Sequence, residues 1–284
     1  MSYITSLSTE QLNNIKTIIK SLTKWKITNP CTQAGILAII SKESSFFCGF
    51  EKGYGNTSNS RIRSIFGSRV RKLSESQLSL IKKSNVAFFN LVYGGRYGNE
   101  EDEGYKYRGA GFNQITFKGN YKAAAERTGI DLIGHPELIE QPSVAADAAS
   151  TYFLDKFKAG FSSRHQAHYK STGINDFKDL TNATLAVYHA NAGFGKPMYS
   201  ASKANESTGG LKKAIDRAPE FLEFINGKKE LPFKSKIEGD AFRNWINDVH
   251  SEYAREINLD RSGSYTNKYI LRAWHMFGDS YTPA

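Results

Sequence analysis

The chain has 284 residues, 39% hydrophobic and 23% charged, a balance that excludes disorder and suits one large domain or a medium one with an appendage. Its formal net charge of +10 points to an anionic partner: nucleic acid, a membrane surface or an acidic wall polymer. The basic residues (Lys16, Lys20, Arg61, Arg63, Arg69, Arg71, Lys82, Lys83, Lys228 and Lys229 among them) are scattered and form no arm or stripe, which argues against nucleic acid. No apolar run has the length of a bilayer span, so stable membrane insertion is not expected. The first residues lack the charged, apolar and small-residue regions of a secretory signal. Cys31 and Cys48 supply neither a disulfide framework nor metal-ligand spacing.

In chain order, Ser8 is an N-cap with Gln11 at the capping-box position, and Leu12, Ile15, Ile18, Ile19 and Leu22 follow at helical spacing. Asn29-Pro30 breaks the chain, and Thr32 is expected to cap a second helix. Six of the seven residues from Ala34 to Ile40 have apolar side chains, the exception being Gly35, and Glu43 follows near the helix end. Helices are expected over Arg61–Phe66 and Glu75–Leu91. The turn cluster Gly94–Asn99 then leads into the acidic run Glu100–Glu103. Tyr105–Thr116 mixes aromatic and β-branched residues with glycine and reads as a short strand or extended loop. Further helices are expected over Asn120–Thr128, ended by Gly129, from Pro142 to about Phe157, from Thr184 to the Asn191 region, and over Leu211–Ile225. His165 and His168 read as parts of a solvated loop. Asn226–Gly239 is the linker candidate, and two helices with a polar turn at Asp260–Ser264 follow it. The expected architecture is α+β, mainly α: a domain over residues 1–230 and a short helical module over residues 240–284.

P-loop, dinucleotide, HExxH and GxSxG patterns are absent, and no cofactor or metal is implied. What remains is a set of polar side chains in apolar or glycine-rich settings: Glu43, Glu51, Gln114, Thr116, Asn120, Tyr121 and Asn191. Ile39 and Ile40 share the helical face of Glu43, the surroundings a general acid needs. Two carboxylates, one in an apolar setting, are the requirement of glycoside hydrolysis.

The stretches AGILAIISKESSFF, FEKGYGNTSNSRIRSIFGSR, VYGGRYGNEEDEGYKYRGAGFNQITFKGNYKAAAERTGIDLIGHPEL, EQPSVAADAASTYF and, more weakly, ATLAVYHANAGFGK resemble glycoside hydrolase family 19, the chitinase family that also supplies phage endolysins. The resemblance covers most of Ala34 to Lys196. It implies a lysozyme-like fold with a small β element and an inverting mechanism on a β-1,4-linked aminosugar polymer. It also implies Glu43 as general acid, Glu51 as general base, and Thr116 as a holder of the attacking water. Gln114, Asn120, Tyr121, Asn191 and Tyr107 become substrate-binding residues, with Glu103 and Glu101 as rival bases. The chain departs from the family at Lys42, where His is usual, at Ala110, where Arg is usual, and at Ala192, where Gly is usual. The expectation is a monomeric peptidoglycan hydrolase, an endolysin or virion lysozyme, made in a host cytoplasm and acting on the cell wall. It would reach the wall with a holin-type export partner or with other virion proteins. A chitinase and a degenerate glycan-binding virion protein are the alternatives.

Overall fold

Ten α-helices build the described part of the protein, residues 3–192, 194 and 210–227 of a computed structural model. Helix α1 (Thr9–Lys24) begins at the expected capping box of Ser8 and Gln11. Helix α2 (Pro30–Glu43) begins one turn earlier than expected, because Asn29 is the cap and accepts the Thr32 amide at 3.0 Å. Pro30 then fits the first turn, where no N–H is needed. Thr32 lies inside the helix, its hydroxyl donating to Ile174 O at 2.5 Å.

Helix α2 is the axis of the fold. All residues from Thr32 to Ser41 are buried, so it carries no solvent stripe. Burying Ile36, Leu37, Ile39 and Ile40 completely contributes about 1.5–3 kcal/mol for each side chain. Helices α3 (Asn59–Phe66), α4 (Glu75–Ile81) and α5 (Asn85–Tyr93) follow a long loop. The single helix expected over Glu75–Leu91 is therefore two. Ser84 leaves the helical path and caps α5 through the Ala87 amide, while the Lys82 side chain at the end of α4 donates to Thr57 O at 2.7 Å. After α6 (Lys118–Thr128), Gly129 ends the helix at φ 73° as expected.

Helices α7 (Pro142–Gly160), α8 (Ser163–Tyr169), α9 (Leu180–Asn191) and α10 (Gly210–Ile225) complete the described fold. Helix α8 replaces the solvated loop expected at His165 and His168. His165 is 9% exposed and stacks with Phe161 and Tyr169, so aromatic packing against α7 recruits it inward. Helix α2 packs chiefly against α10 and α9. At Gly35 a side chain would stand 3.1 Å from the Thr184 α-carbon, so glycine is what lets α9 approach. Helix α1 is tied to α7 by Asp147, which accepts from Ser21, Lys24 and Trp25. The Glu220 carboxylate of α10 accepts the Tyr3 and Ile4 amides at 3.0 Å each.

Three hydrophobic clusters result: one around α2, one around Tyr107, Tyr121 and Ile139, and one formed by Ile62, Val70, Leu78, Phe88, Phe89 and Val92. The architecture is mainly α. Of the short strand or extended loop expected over Tyr105–Thr116, the loop is what forms, with one antiparallel bridge, Ala110 with Ile115. The chain turns back at once through left-handed Gly111 (φ 71°) and Gln114 (φ 53°), which leaves no length for a ladder. No helix among the described residues is long and apolar enough to cross a membrane. The second helical module expected at 240–284, and the linker from 228 onward, lie outside the described residues.

Candidate functional site

The segment from Glu43 to Tyr54 passes all three clusters: Cys48 packs on the first, Phe50 on the second and Tyr54 on the third. It is zipped to the 109–114 turn along its length. The Gly111 amide donates to Cys48 O (3.1 Å), the Glu51 amide to Gly109 O (2.6 Å), and Gln114 Nε2 to Gly49 O (3.2 Å). Ser44 Oγ donates to Phe112 O at 2.7 Å. These bonds take the place of strand pairing and bring Glu51 to Gln114 and Thr116.

The convergence is centred on Gly109. A methyl group there would lie 3.2 Å from Gln114 Oε1, 3.3 Å from Glu51 Oε2 and 3.4 Å from Thr116 Oγ1. Three oxygens thus face one space above a bare α-carbon, polar enough to give a water its two to four partners. Glu51 is oriented by two phenols, Tyr54 donating to Oε1 at 2.7 Å and Tyr93 to Oε2 at 2.9 Å. Burial first, and then the Glu51 carboxylate, push both phenols above the ordinary tyrosine range. They stay protonated donors at any physiological pH.

Glu43 closes α2. Its Oε1 lies 2.5 Å from Lys42 Nζ and accepts from Asn191 Nδ2 at 3.1 Å. Asn191 is the last residue of α9 and is itself held by Tyr152, whose hydroxyl donates to Asn191 O at 3.1 Å. Burial, with a smaller contribution from the Glu43 charge, pushes the Tyr152 phenol up to about 12. Lys42 is also 5.9 Å from the Tyr188 ring centre, and its stem lies against Gly210.

No protein-family model matches the chain, and no curated protein matches it.

Glu43 and Asn191 form one group of polar side chains; Glu51, Gln114 and Thr116 form a second over Gly109. Asn120 supports the second group, donating to Thr116 O at 2.7 Å. It also lines a cavity of about 150 Å³ between α6 and α7 with Ile115, Thr151, Tyr152 and Lys156. Two expected sugar contacts are placed otherwise. Tyr107 and Tyr121 are fully buried against each other, and their hydroxyls donate to Ile133 O and Arg108 O. They pack the floor under the turn and have no surface to offer a ligand.

Glu103, one rival base, has both oxygens taken. Lys118 Nζ reaches them at 2.8 and 2.9 Å, and the Glu100 amide donates to Oε2. Desolvation opposes ionisation there, but the Glu100 amide and the Lys118 ammonium outweigh it and hold this carboxyl below the usual range. Glu101 is exposed, and its carboxylate lies against Gly95. Among the described residues, no group of three or more His, Cys, Asp or Glu is arranged to hold a metal ion.

The sequence reading missed Tyr54, Tyr93, Tyr152 and Asn113. Tyr54 and Tyr93 do stand in the quoted KGYGN and VYGGRYGN stretches, each beside the glycine turns that often mark a site. Asn113 is 6% exposed, and neither of its amide atoms has a hydrogen-bond partner.

Proposed function

We propose that this protein hydrolyses the β-1,4 glycan backbone of bacterial peptidoglycan, on a lysozyme-like fold, by direct attack of water. Glu43 protonates the leaving oxygen, and Glu51 takes the proton of a water held between its carboxylate and Thr116. Gln114 and Asn191 bind sugar groups. The observation that carries the reading is the meeting of the Glu51, Gln114 and Thr116 oxygens over Gly109. An inverting pair requires a separation of roughly 6.5–9.5 Å so that a water fits between the carboxylate and the anomeric carbon. The basic surface (net charge +10) suits an anionic wall. The enzyme would be made in a host cytoplasm, as an endolysin or a virion lysozyme, and act on the wall.

Mass spectrometry of products from purified peptidoglycan, with chitin in parallel, tests this. Muropeptides with new reducing ends, lost in Glu51→Gln, are the expected result. Soluble products from chitin alone would make the protein a chitinase.

One contact favours a second reading. Lys42 Nζ lies 2.5 Å from Glu43 Oε1, and an ammonium at this distance favours the ionised carboxylate over the acid, as in a glycan-binding protein that no longer cuts. Yet both side chains are about a quarter exposed, and pairs of this kind are worth only about 0–1 kcal/mol. Displacing the lysine is therefore affordable in a catalytic cycle. Pelleting with walls in the absence of new reducing ends would identify the binding protein.

A further inference from the structure

We propose that Tyr97 is a stacking platform for an outlying sugar of the glycan chain, extending the site beyond the two carboxylates on the Glu51 side. The inference rests on the aminosugar-polymer reading of that site. Among the described residues only two aromatic side chains stand out as exposed, Phe47 at 46% and Tyr97 at 70%. A lone exposed ring is ordinary on a protein surface. What sets Tyr97 apart is how firmly it is built in.

Its backbone is left-handed (φ 46°), a conformation that favours glycine, although glycine follows at the very next position. The turn cannot relax, because its carbonyl accepts the Gly119 amide at 3.1 Å. The buried Asn99 side chain clamps the same turn, donating to Tyr93 O at 3.0 Å and accepting from the Lys118 amide at 2.7 Å. The Tyr97 ring leans on Phe117 with centroids 4.7 Å apart, and the Arg96 guanidinium lies over both rings at 5.4 and 5.2 Å. Phe117 is itself left-handed (φ 77°), directly follows Thr116, and meets Tyr93 edge-on at 5.4 Å. Tyr93 in turn donates to Glu51. A continuous set of aromatic contacts therefore runs from the candidate base to a ring fixed in solvent.

Strain of this kind persists where surrounding structure enforces it, and it concentrates at ligand clamps. A rigid aromatic face that loses little freedom on binding suits a pyranose, whose axial C–H bonds form a flat apolar face. The bound sugar would lie at a distance from the cut, so the platform acts on long chains.

Isothermal titration of the full chain with β-1,4-linked N-acetylglucosamine trimer and hexamer tests this, in a Glu43→Gln background to prevent turnover. Tyr97→Ala is expected to weaken the hexamer about tenfold, the scale of one aromatic stacking contact, and the trimer less than twofold, with an unchanged melting temperature. Tyr97→Phe should retain hexamer affinity, and Tyr97→Trp should match or exceed it. An unchanged hexamer constant in Tyr97→Ala, equal weakening for both lengths, or loss in Tyr97→Phe overturns the proposal. Reducing-end release by the parent chain without any length effect sinks the platform and leaves hydrolysis standing. A length effect without reducing-end release supports the platform and sinks hydrolysis.

Discussion

At Glu43 the partners are a lysine ammonium and an asparagine amide, brought together by the ends of α2 and α9. At Glu51, eight residues later, they are two tyrosine hydroxyls supplied from a loop and from α5. Neutral donors orient a carboxylate and leave its negative charge to act on a water, whereas an ammonium neutralises it. The Glu51 end is thus preorganised as it stands. Under the proposed chemistry the Glu43 end would act as a donor more readily once Lys42 had swung away. The difference locates the sensitive step of the proposed chemistry at Lys42 and not at the water.

The strongest way to break this comparison is to remove each carboxylate in turn. Glu43→Gln and Glu51→Gln should each lower reducing-end release by about 10²–10⁴-fold, the usual worth of a general acid or base, with the fold intact by circular dichroism. Glu103→Gln should keep turnover and lower the melting temperature, because it undoes only the Lys118 clamp. Activity lost in Glu103→Gln but kept in Glu51→Gln would reverse the assignment.

The phenols come next. A hydrogen bond to a charged group is worth about 1.5–3 kcal/mol. Tyr54→Phe and Tyr93→Phe should therefore each cost roughly tenfold or more in kcat, with KM for short substrates little changed. At the other end, Lys42→Met should raise kcat by up to about fivefold, the equivalent of one weak surface pair. A fall in kcat would mean that the ammonium serves the reaction and would end the contrast between the two ends.

Acid should separate the ends as well. His189, two residues before Asn191 in α9, is held down to about 4, first by burial and then by the charges of His168 and His165. An unfolded chain takes up this proton near the ordinary histidine value of about 6.5. The folded form refuses it until about 4, so the stability involved is present above 6.5 and is lost as pH falls from 6.5 towards 4. Melting curves across that window should shift downward. Hydrogen exchange should show α9, and with it the Glu43 end, loosening before the Tyr54 and Tyr93 loop does. The smallest effect is at Asn113, whose neighbours Phe112 and Gln114 serve the two ends. Asn113→Ile should stabilise the protein by about 1 kcal/mol, since a buried amide without partners is costly. A loss of activity in that variant would show that the amide serves a bound substrate.

Elements that depend on neighbouring residues were legible in the sequence. The Ser8–Gln11 box, the apolar run of α2, Pro142 at a helix start and Gly129 at a helix end all appear where local chemistry puts them. The break between α4 and α5 rests on the local Ser84 cap, which the apolar run across it concealed, whereas the inward packing of His165 depends in part on a partner far along the chain, Phe194. The same holds for the site. Glu43, Glu51, Gln114 and Thr116 were visible as polar residues out of place. Tyr93 was not, because its role exists only once a helix end reaches a loop 42 residues earlier. Tyr107 and Tyr121 misled for the opposite reason, since a tyrosine that looks like a sugar ligand in sequence can equally fill a core with its hydroxyl satisfied.

The bonds from Tyr3 and Ile4 to Glu220 span 217 and 216 residues. They have a consequence for the order in which the chain can be made. A ribosome delivers α2, with ten consecutive residues that must be shielded, long before it delivers α9 and α10, which shield them. Contacts this distant make folding slow and leave greasy surface uncovered in the interval. Synthesis at low temperature or with chaperone support should therefore raise the soluble yield. A truncation just before Gly210 should aggregate, even though every candidate site residue precedes that point.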